Sequence, residues 1–175
     1  DKEISKKLNC AQISIYFVRK RLNLRQDINL SYAKSILLSQ EQKECLFGTL
    51  LGDGSLRLPE RARNPSGRIE HCLKQEDYLK YKHNILRNLC SESSYHVRES
   101  TGDRAKSFGK KGKNYSCSFR FNSNPELHEF YNKFYSSGKK IIPIDLLDKY
   151  YSPLAMAVHF MDDGCKLKSG YTIAT

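Results

Sequence analysis

Two stretches of the sequence end in the same chemistry. Leu46-Phe47-Gly48-Thr49-Leu50-Leu51-Gly52-Asp53-Gly54 and Met156-Ala157-Val158-His159-Phe160-Met161-Asp162-Asp163-Gly164 each close an apolar run on Asp-Gly. One such ending is a helix stop and a turn. Two become informative if their helices pack side by side, because Asp53 and Asp163 then meet at two helix C-termini. A carboxylate is disfavoured there by the helix dipole unless a cation is held beside it. Converging carboxylates specify a hard divalent ion with oxygen ligands, Mg2+ (or Mn2+). Beside a phosphodiester, such an ion can activate water and stabilise the leaving oxygen. The cysteines at 10, 45, 72, 90, 117 and 165 include no Cys-x-x-Cys pair, and the five histidines show no His-x3–5-His spacing. A zinc site is therefore not indicated. The cysteines read as reduced, mostly buried thiols of an intracellular protein.

The elements that must position these aspartates follow from local signals. Ser39-Gln40-Glu41-Gln42 is a Ser-x-x-Gln capping box, which predicts a helix through Leu46, Phe47, Leu50 and Leu51 to Gly52. Its small residues at 48 and 52 allow a second helix to approach closely. Alternation predicts a strand at 55–58 and a partner at 68–74, with Ile69, His71 and Leu73 on one face. A helix over 76–90 follows. A second hairpin begins at Tyr95–Arg98 and returns through 115–121, with Cys117, Phe119 and Phe121 inward. A helix over 125–135 closes the unit, and the helix of the second Asp-Gly motif starts at Pro153, a favoured first-turn residue. Residues 171–174 echo the first strand. The reading is an α+β, αββαββα unit, pseudo-duplicated. Only 11 residues follow Gly164, so a second unit is expected to be incomplete in this chain.

Charge says what that scaffold faces. The 175 residues carry +11, from 30 Lys and Arg against 19 Asp and Glu. Residues 1–25 hold seven basic and two acidic side chains, and residues 54–123 hold fifteen against seven. The stretches containing the Asp-Gly motifs are acidic or balanced. Two basic blocks are the footprint of a polyanion. No apolar run is long enough to span a membrane, and 39% hydrophobic residues with eight Phe and eleven Tyr exclude a disordered chain. The first block reads as two short helices resembling the end of a helix-turn-helix, with Gln12, Arg19 and Lys20 free to face a groove. In the second block the outward strand residues are Ser55, Arg57, Arg68, Glu70, Lys74, Ser116, Ser118 and Arg120, beside a basic loop with Lys110, Lys111 and Lys113. Strands carrying Arg and Lys can lie in the major groove, although a polar outer face is also the default for a half-exposed sheet. The expected layout is a helix-turn-helix-like segment at 1–30, a linker at 31–38, a first unit at 39–150 and the start of a second at 151–175.

The paired motifs, the second in its Phe-Met-Asp-Asp-Gly form, resemble those of the LAGLIDADG homing endonucleases. The resemblance covers residues 39–175. It implies a pseudo-symmetric monomer when complete, whose two saddle-shaped sheets straddle double-stranded DNA and cleave both strands at a specific site. By similarity Asp53 and Asp163 are the catalytic metal ligands, helped by the backbone at Gly52 and Asp162. Gln75 matches a polar residue that orders active-site water, and Lys140 a basic residue near the scissile phosphate, where an ammonium stabilises developing charge. Two departures stand out: Gly48 and Gly52 are matched by Val158 and Asp162, and Asp162 adds a third carboxylate. Two other functions fit the same residues. One is an RNA-binding maturase acting on intron RNA, since a basic sheet suits structured RNA equally well. The other is a non-catalytic DNA-binding regulator, against which the retention of both aspartates argues. The expected setting is intracellular, in a mitochondrion, a chloroplast or a bacterial or phage cytoplasm.

Overall fold

Ser39 starts the first helix as its capping box predicts. Its Oγ accepts from Gln42 N at 3.2 Å, and Gln42 Oε1 accepts from Ser39 N at 3.0 Å. Gln42 Nε2 also donates to Ile85 O at 2.7 Å, which ties this helix to the end of the next one. The structure is a computed structural model and describes residues 36–100 and 114–174. The helix-turn-helix reading with Gln12, Arg19 and Lys20, most of the linker, and the loop lysines Lys110, Lys111 and Lys113 lie outside the described residues.

Helix α1 (Gln40–Leu51) buries six consecutive residues, Cys45 to Leu50. Burial right around a helix means that neighbours cover it on more than one side. One neighbour is an antiparallel sheet of β1 (Ser55–Arg57), β2 (Ser66–Cys72), β3 (His96–Ser100) and β4 (Asn114–Phe121), in the order β1-β2-β4-β3. The register pairs Ile69 with Phe119 and His71 with Cys117, so these four side chains share the inner face, as alternation predicts. The outer face carries Arg68 opposite Arg120 and Glu70 opposite Ser118. Helix α2 (Glu76–Ile85) is shorter than predicted. The chain passes through a 3-10 turn at Arg87–Leu89 because Cys90 then bridges Phe121 and Leu89 O accepts from Asn122 N. β2 likewise ends at Cys72, so Leu73 and Lys74 fall in a 3-10 turn rather than on the sheet.

Helix α3 (Leu127–Phe134) buries Leu127, Phe130 and Phe134 at helical spacing. Two elements then appear that the sequence reading did not anticipate. A tight hairpin joins β5 (Tyr135–Ser136) to β6 (Lys139–Lys140) through Ser137 at φ 49° and Gly138 at φ 76°. Two consecutive positive φ values match the twist of a two-residue hairpin, and glycine adopts one of them without strain. Helix α4 (Ile144–Tyr150) follows, with Leu146 and Tyr150 buried. Phe47, Phe134, Phe130 and Tyr150 form an aromatic cluster with ring centroids 5.3–6.1 Å apart.

Helix α5 (Pro153–Asp163) carries the second Asp-Gly motif. Ser152 caps it through Ala155 N and donates to Glu44 Oε2 at 2.7 Å, fastening its start to α1. It ends directly in a hairpin of β7 (Gly164–Leu167) and β8 (Gly170–Ile173). The first motif's helix is likewise followed by a hairpin, which gives the internal repeat structural form. Most of the second hairpin is exposed, with Tyr171 68% and Leu167 51% accessible. Among the described residues no helix is long and apolar enough to cross a membrane, and the described cysteines are free. Cys45 and Cys117 are buried, but Cys72 and Cys165 are exposed, so the expectation of mostly buried thiols holds for only part of the set.

Candidate functional site

The two motif helices meet because two glycines allow it. A Cβ on Gly48 would stand 2.3 Å from Ala155 O, and one on Gly52 2.4 Å from Asp162 Cβ. Neither distance leaves room for a side chain. The pairing is therefore Gly48 against the backbone of Ala155 and Gly52 against Asp162, which accounts for the asymmetry between the motifs. The space that glycine leaves at 52 is where Asp162 enters the interior.

Asp53 and Asp163 follow from this packing, at the C-terminal ends of α1 and α5. Burial, followed by the charge of Asp53, raises the pKa of Asp163, while His159 and Lys140 pull it back. Asp53 moves the opposite way: a hydrogen bond from His71 holds its carboxyl below the usual range. The two carboxylates are thus held unequally. Lys140, at the end of the β5–β6 hairpin, places Nζ 2.7 Å from Gly52 O and 3.1 Å from Gly54 O. Burial lowers its pKa, and Asp163, Asp53 and Asp162 raise it again. An ammonium held on two carbonyls marks this as an oxygen-rich point that suits a cation. The carboxylates of Asp53 and Asp163 are donors of the kind a hard divalent ion takes, and the Gly52 carbonyl can join them only once Lys140 leaves it. An open pocket of about 250 Å³ adjoins it, lined by Lys140, His159 and Asp163 with Leu50, Leu51, Phe134, Ile141, Ile142 and Ala174.

Beneath this surface lies a buried ionic network. The Lys82 and Asp162 side chains are both fully buried, with Nζ 2.6 Å from Oδ1 and 2.8 Å from Oδ2. Tyr78 OH lies 2.9 Å from both Asp162 Oδ1 and Val158 O, and the Lys82 ammonium stands 4.4 Å from the Tyr78 ring centre. His71 connects the network to the surface, with Nε2 3.2 Å from Lys82 Nζ and Nδ1 3.4 Å from Asp53 Oδ2. Asp53, His71 and Asp162 place ligand atoms within 4.8 Å of one another. A metal between them is nevertheless disfavoured, because both oxygens of Asp162 already hold Lys82, whose charge repels a second cation. The third carboxylate is thus a counter-ion for a buried lysine, and only its backbone is left for the metal role.

The other expected site residues are dispersed. Gln75 ends the 3-10 turn after β2, where its Oε1 accepts from the Cys72 thiol at 3.4 Å; it makes no hydrogen bond to Asp53 or Asp163. Ser55 and Arg57 are exposed on β1. Arg68 pairs with Glu70 at 2.8 Å, and Glu70 also accepts from Ser116 at 2.8 Å, so this acid balances part of the basic face. Ser118 lies on that face by register but is only 5% exposed, a short side chain between Glu70 and His96. Lys74 is exposed but sits in the turn beyond the strand. Arg120 is exposed opposite Arg68. Like charges directly opposite are unfavourable without an anion between them. His96 and Arg98, exposed on edge strand β3, extend the same face. The sequence reading passed over them, together with Lys82 and Tyr78. It did place His71 on the inner face, and a histidine among apolar inward positions was the available signal.

Comparisons with known proteins bear on the family and the fold. The family model described as the LAGLIDADG DNA endonuclease family matches residues 43–175. The cytochrome b mRNA maturase bI2 of Debaryomyces hansenii is 30% identical over 142 residues, covering 79% of this chain and 51% of that protein. The DNA endonuclease I-ChuI of Chlamydomonas applanata is 31% identical over 133 residues, covering 73% and 59%. The chain thus spans about half to three fifths of the length of these relatives. Among solved structures, the homing endonuclease I-WcaI bound to its DNA recognition sequence superposes with a TM-score of 0.67 at 22% identity, over 83% of this chain and 61% of that one. That likeness establishes the α+β fold. With two Asp-ended helices packed through glycine and a four-stranded sheet beside them, the chain belongs to the LAGLIDADG DNA endonuclease family.

Proposed function

We propose that this protein is a homing-type, site-specific DNA endonuclease, intron- or intein-associated, that makes divalent-metal-dependent double-strand breaks. What supports the reading is that Asp53 and Asp163 stand at the ends of α1 and α5, which pack through Gly48 and Gly52, with the Lys140 ammonium on the carbonyls of Gly52 and Gly54. Asp53, Asp163 and the backbone carbonyls of Gly52 and Asp162 would hold Mg2+ or Mn2+. Such an ion supplies an activated water and stabilisation of the leaving oxygen. The chain's own residues do the rest. Lys140 offers an ammonium to the phosphate, where it offsets the charge of the transition state, and Gln75, by the family resemblance, would order water. Ser55, Arg57, Arg68, Glu70, Ser116 and Arg120 present the outer sheet to the duplex, with Arg68 and Arg120 as the principal cations; Lys74 adds a charge from the turn, and Ser118, buried among its neighbours, spaces the face. The loop lysines 110, 111 and 113, and Gln12, Arg19 and Lys20 near the start, add further backbone contacts. The complete protein works as a monomer inside a cell or organelle.

The test is incubation of the full protein with a DNA library and Mg2+, followed by mapping of double-strand ends. Recurrent cuts at one sequence, lost in Asp53→Asn and Asp163→Asn, are expected. No cuts, or variants that behave as the wild type, would refute the proposal. The similarity to a cytochrome b mRNA maturase supports a second reading, in which the same basic sheet holds intron RNA. Splicing assistance that survives loss of both aspartates would favour it.

A further inference from the structure

His71 is buried on the inner face of β2 with its side chain 1% exposed, and both ring nitrogens have partners. Those partners differ in which proton position they favour. Lys82 is an ammonium with three N–H donors and no acceptor. Two donors reach the oxygens of Asp162 at 2.6 and 2.8 Å, and the third reaches His71 Nε2 at 3.2 Å. Asp162 Oδ1 itself stands farther from Nε2, at 3.6 Å. With an ammonium on that side, Nε2 serves as the acceptor, which leaves Nδ1 to carry the ring proton on the side of Asp53. Nδ1 stands 3.4 Å from Asp53 Oδ2, within ion-pair distance.

We infer that His71 is a positioning residue, locked as the Nδ1–H tautomer by Lys82, that holds one oxygen of Asp53 and leaves the other for a divalent ion. Carboxylates and histidines at metal sites are commonly oriented this way by a partner behind them. The lock originates in the second motif, because Asp162 on α5 keeps Lys82 in place. The carboxylate of the first motif is thus aimed through the interior by a residue of the second. Asp163, by contrast, makes no side-chain hydrogen bond among the described residues. The inference rests on the reading of Asp53 as a metal ligand.

Three measurements on the full protein test it. Nitrogen-15 NMR of the metal-free wild type is expected to find His71 protonated on Nδ1 only; an Nε2–H ring would overturn the inference without any variant. Mn2+ binding, followed by electron paramagnetic resonance, should weaken about tenfold or more in His71→Ala, and kcat should fall while KM for DNA holds. His71→Asn, whose amide can donate from the Nδ1 position, should recover most of both losses, whereas His71→Gln should not. A folded His71→Ala within twofold of wild type in Mn2+ affinity and kcat would refute the role, as would equal behaviour of folded Asn and Gln variants. Asp53→Asn separates the two layers. If it binds Mn2+ and cuts like the wild type, the metal site itself is misassigned. If it loses both while His71→Ala does not, only the positioning role fails.

Discussion

Asp162→Asn is the most discriminating perturbation of the buried network. The substitution keeps the shape and the oxygen that Tyr78 reaches, but removes the charge that holds Lys82. Both side chains are fully buried and 2.6 Å apart, so water cannot replace the lost partner. Removing one member of a buried pair costs about 3–5 kcal/mol, which for a protein of this size lowers Tm by roughly 6–20 °C. Burial already lowers the pKa of Lys82, with Asp162 as the opposing influence, and the variant removes that opposition. Its folded pKa then lies further below the unfolded value of about 10.4. Between the two, the unfolded state binds more protons, so stability rises with pH. The loss should be largest near neutrality and shrink towards pH 10. Lys82→Met should cost a similar amount, and the double variant less than the sum by at least ~1 kcal/mol. Urea denaturation of the four proteins at two pH values measures all of this. Asp162→Asn within 1 kcal/mol of wild type at neutral pH, or strict additivity in the double variant, would refute the buried-pair argument.

Three further outcomes are expected. Asp163→Asn should raise Tm of the metal-free protein at neutral pH while abolishing cleavage, because the raised pKa of Asp163 marks an ionised form that folding disfavours; Mg2+ should then raise Tm of wild type more than that of the variant. Lys140→Met frees Gly52 O and Gly54 O and should cut kcat by about 10²–10³ with little change in DNA affinity, the size seen when one transition-state donor is removed. Arg120→Ala, on the outer sheet face, should weaken DNA binding across sequences and reduce the slope of log K against log salt by about one, read from binding isotherms at several salt concentrations.

The local chemistry of the sequence was enough for the capping box at Ser39, the alternation that put Ile69, His71, Cys117 and Phe119 on one face, and the two Asp-Gly helix ends. Each of these signals spans only a few residues, and backbone hydrogen bonding or side-chain period acts over that range. Helix α2 ended early for a non-local reason, the bridge from Cys90 to Phe121. The β5–β6 hairpin turned on Ser137 and Gly138, too short a signal to register beside its neighbours, so the sequence singled out Lys140 only by resemblance and gave no sign of its contact with the Gly52 carbonyl.

What the sequence alone determined is the paired motif, the helix–hairpin order and the basic face, because these are carried by residue types at fixed local spacing. What only the tertiary structure decided is how the carboxylates divide their work. Asp162 and Asp163 are adjacent and identical in type, yet one is sealed against Lys82 and the other ends the helix at the pocket. Lys82 lies 80 residues from its partner, so no local pattern could mark it as the buried lysine. The difference comes from burial and distance, which set whether a charge needs a counter-ion or can hold one, and both exist only once α1 and α5 have closed on Gly48 and Gly52.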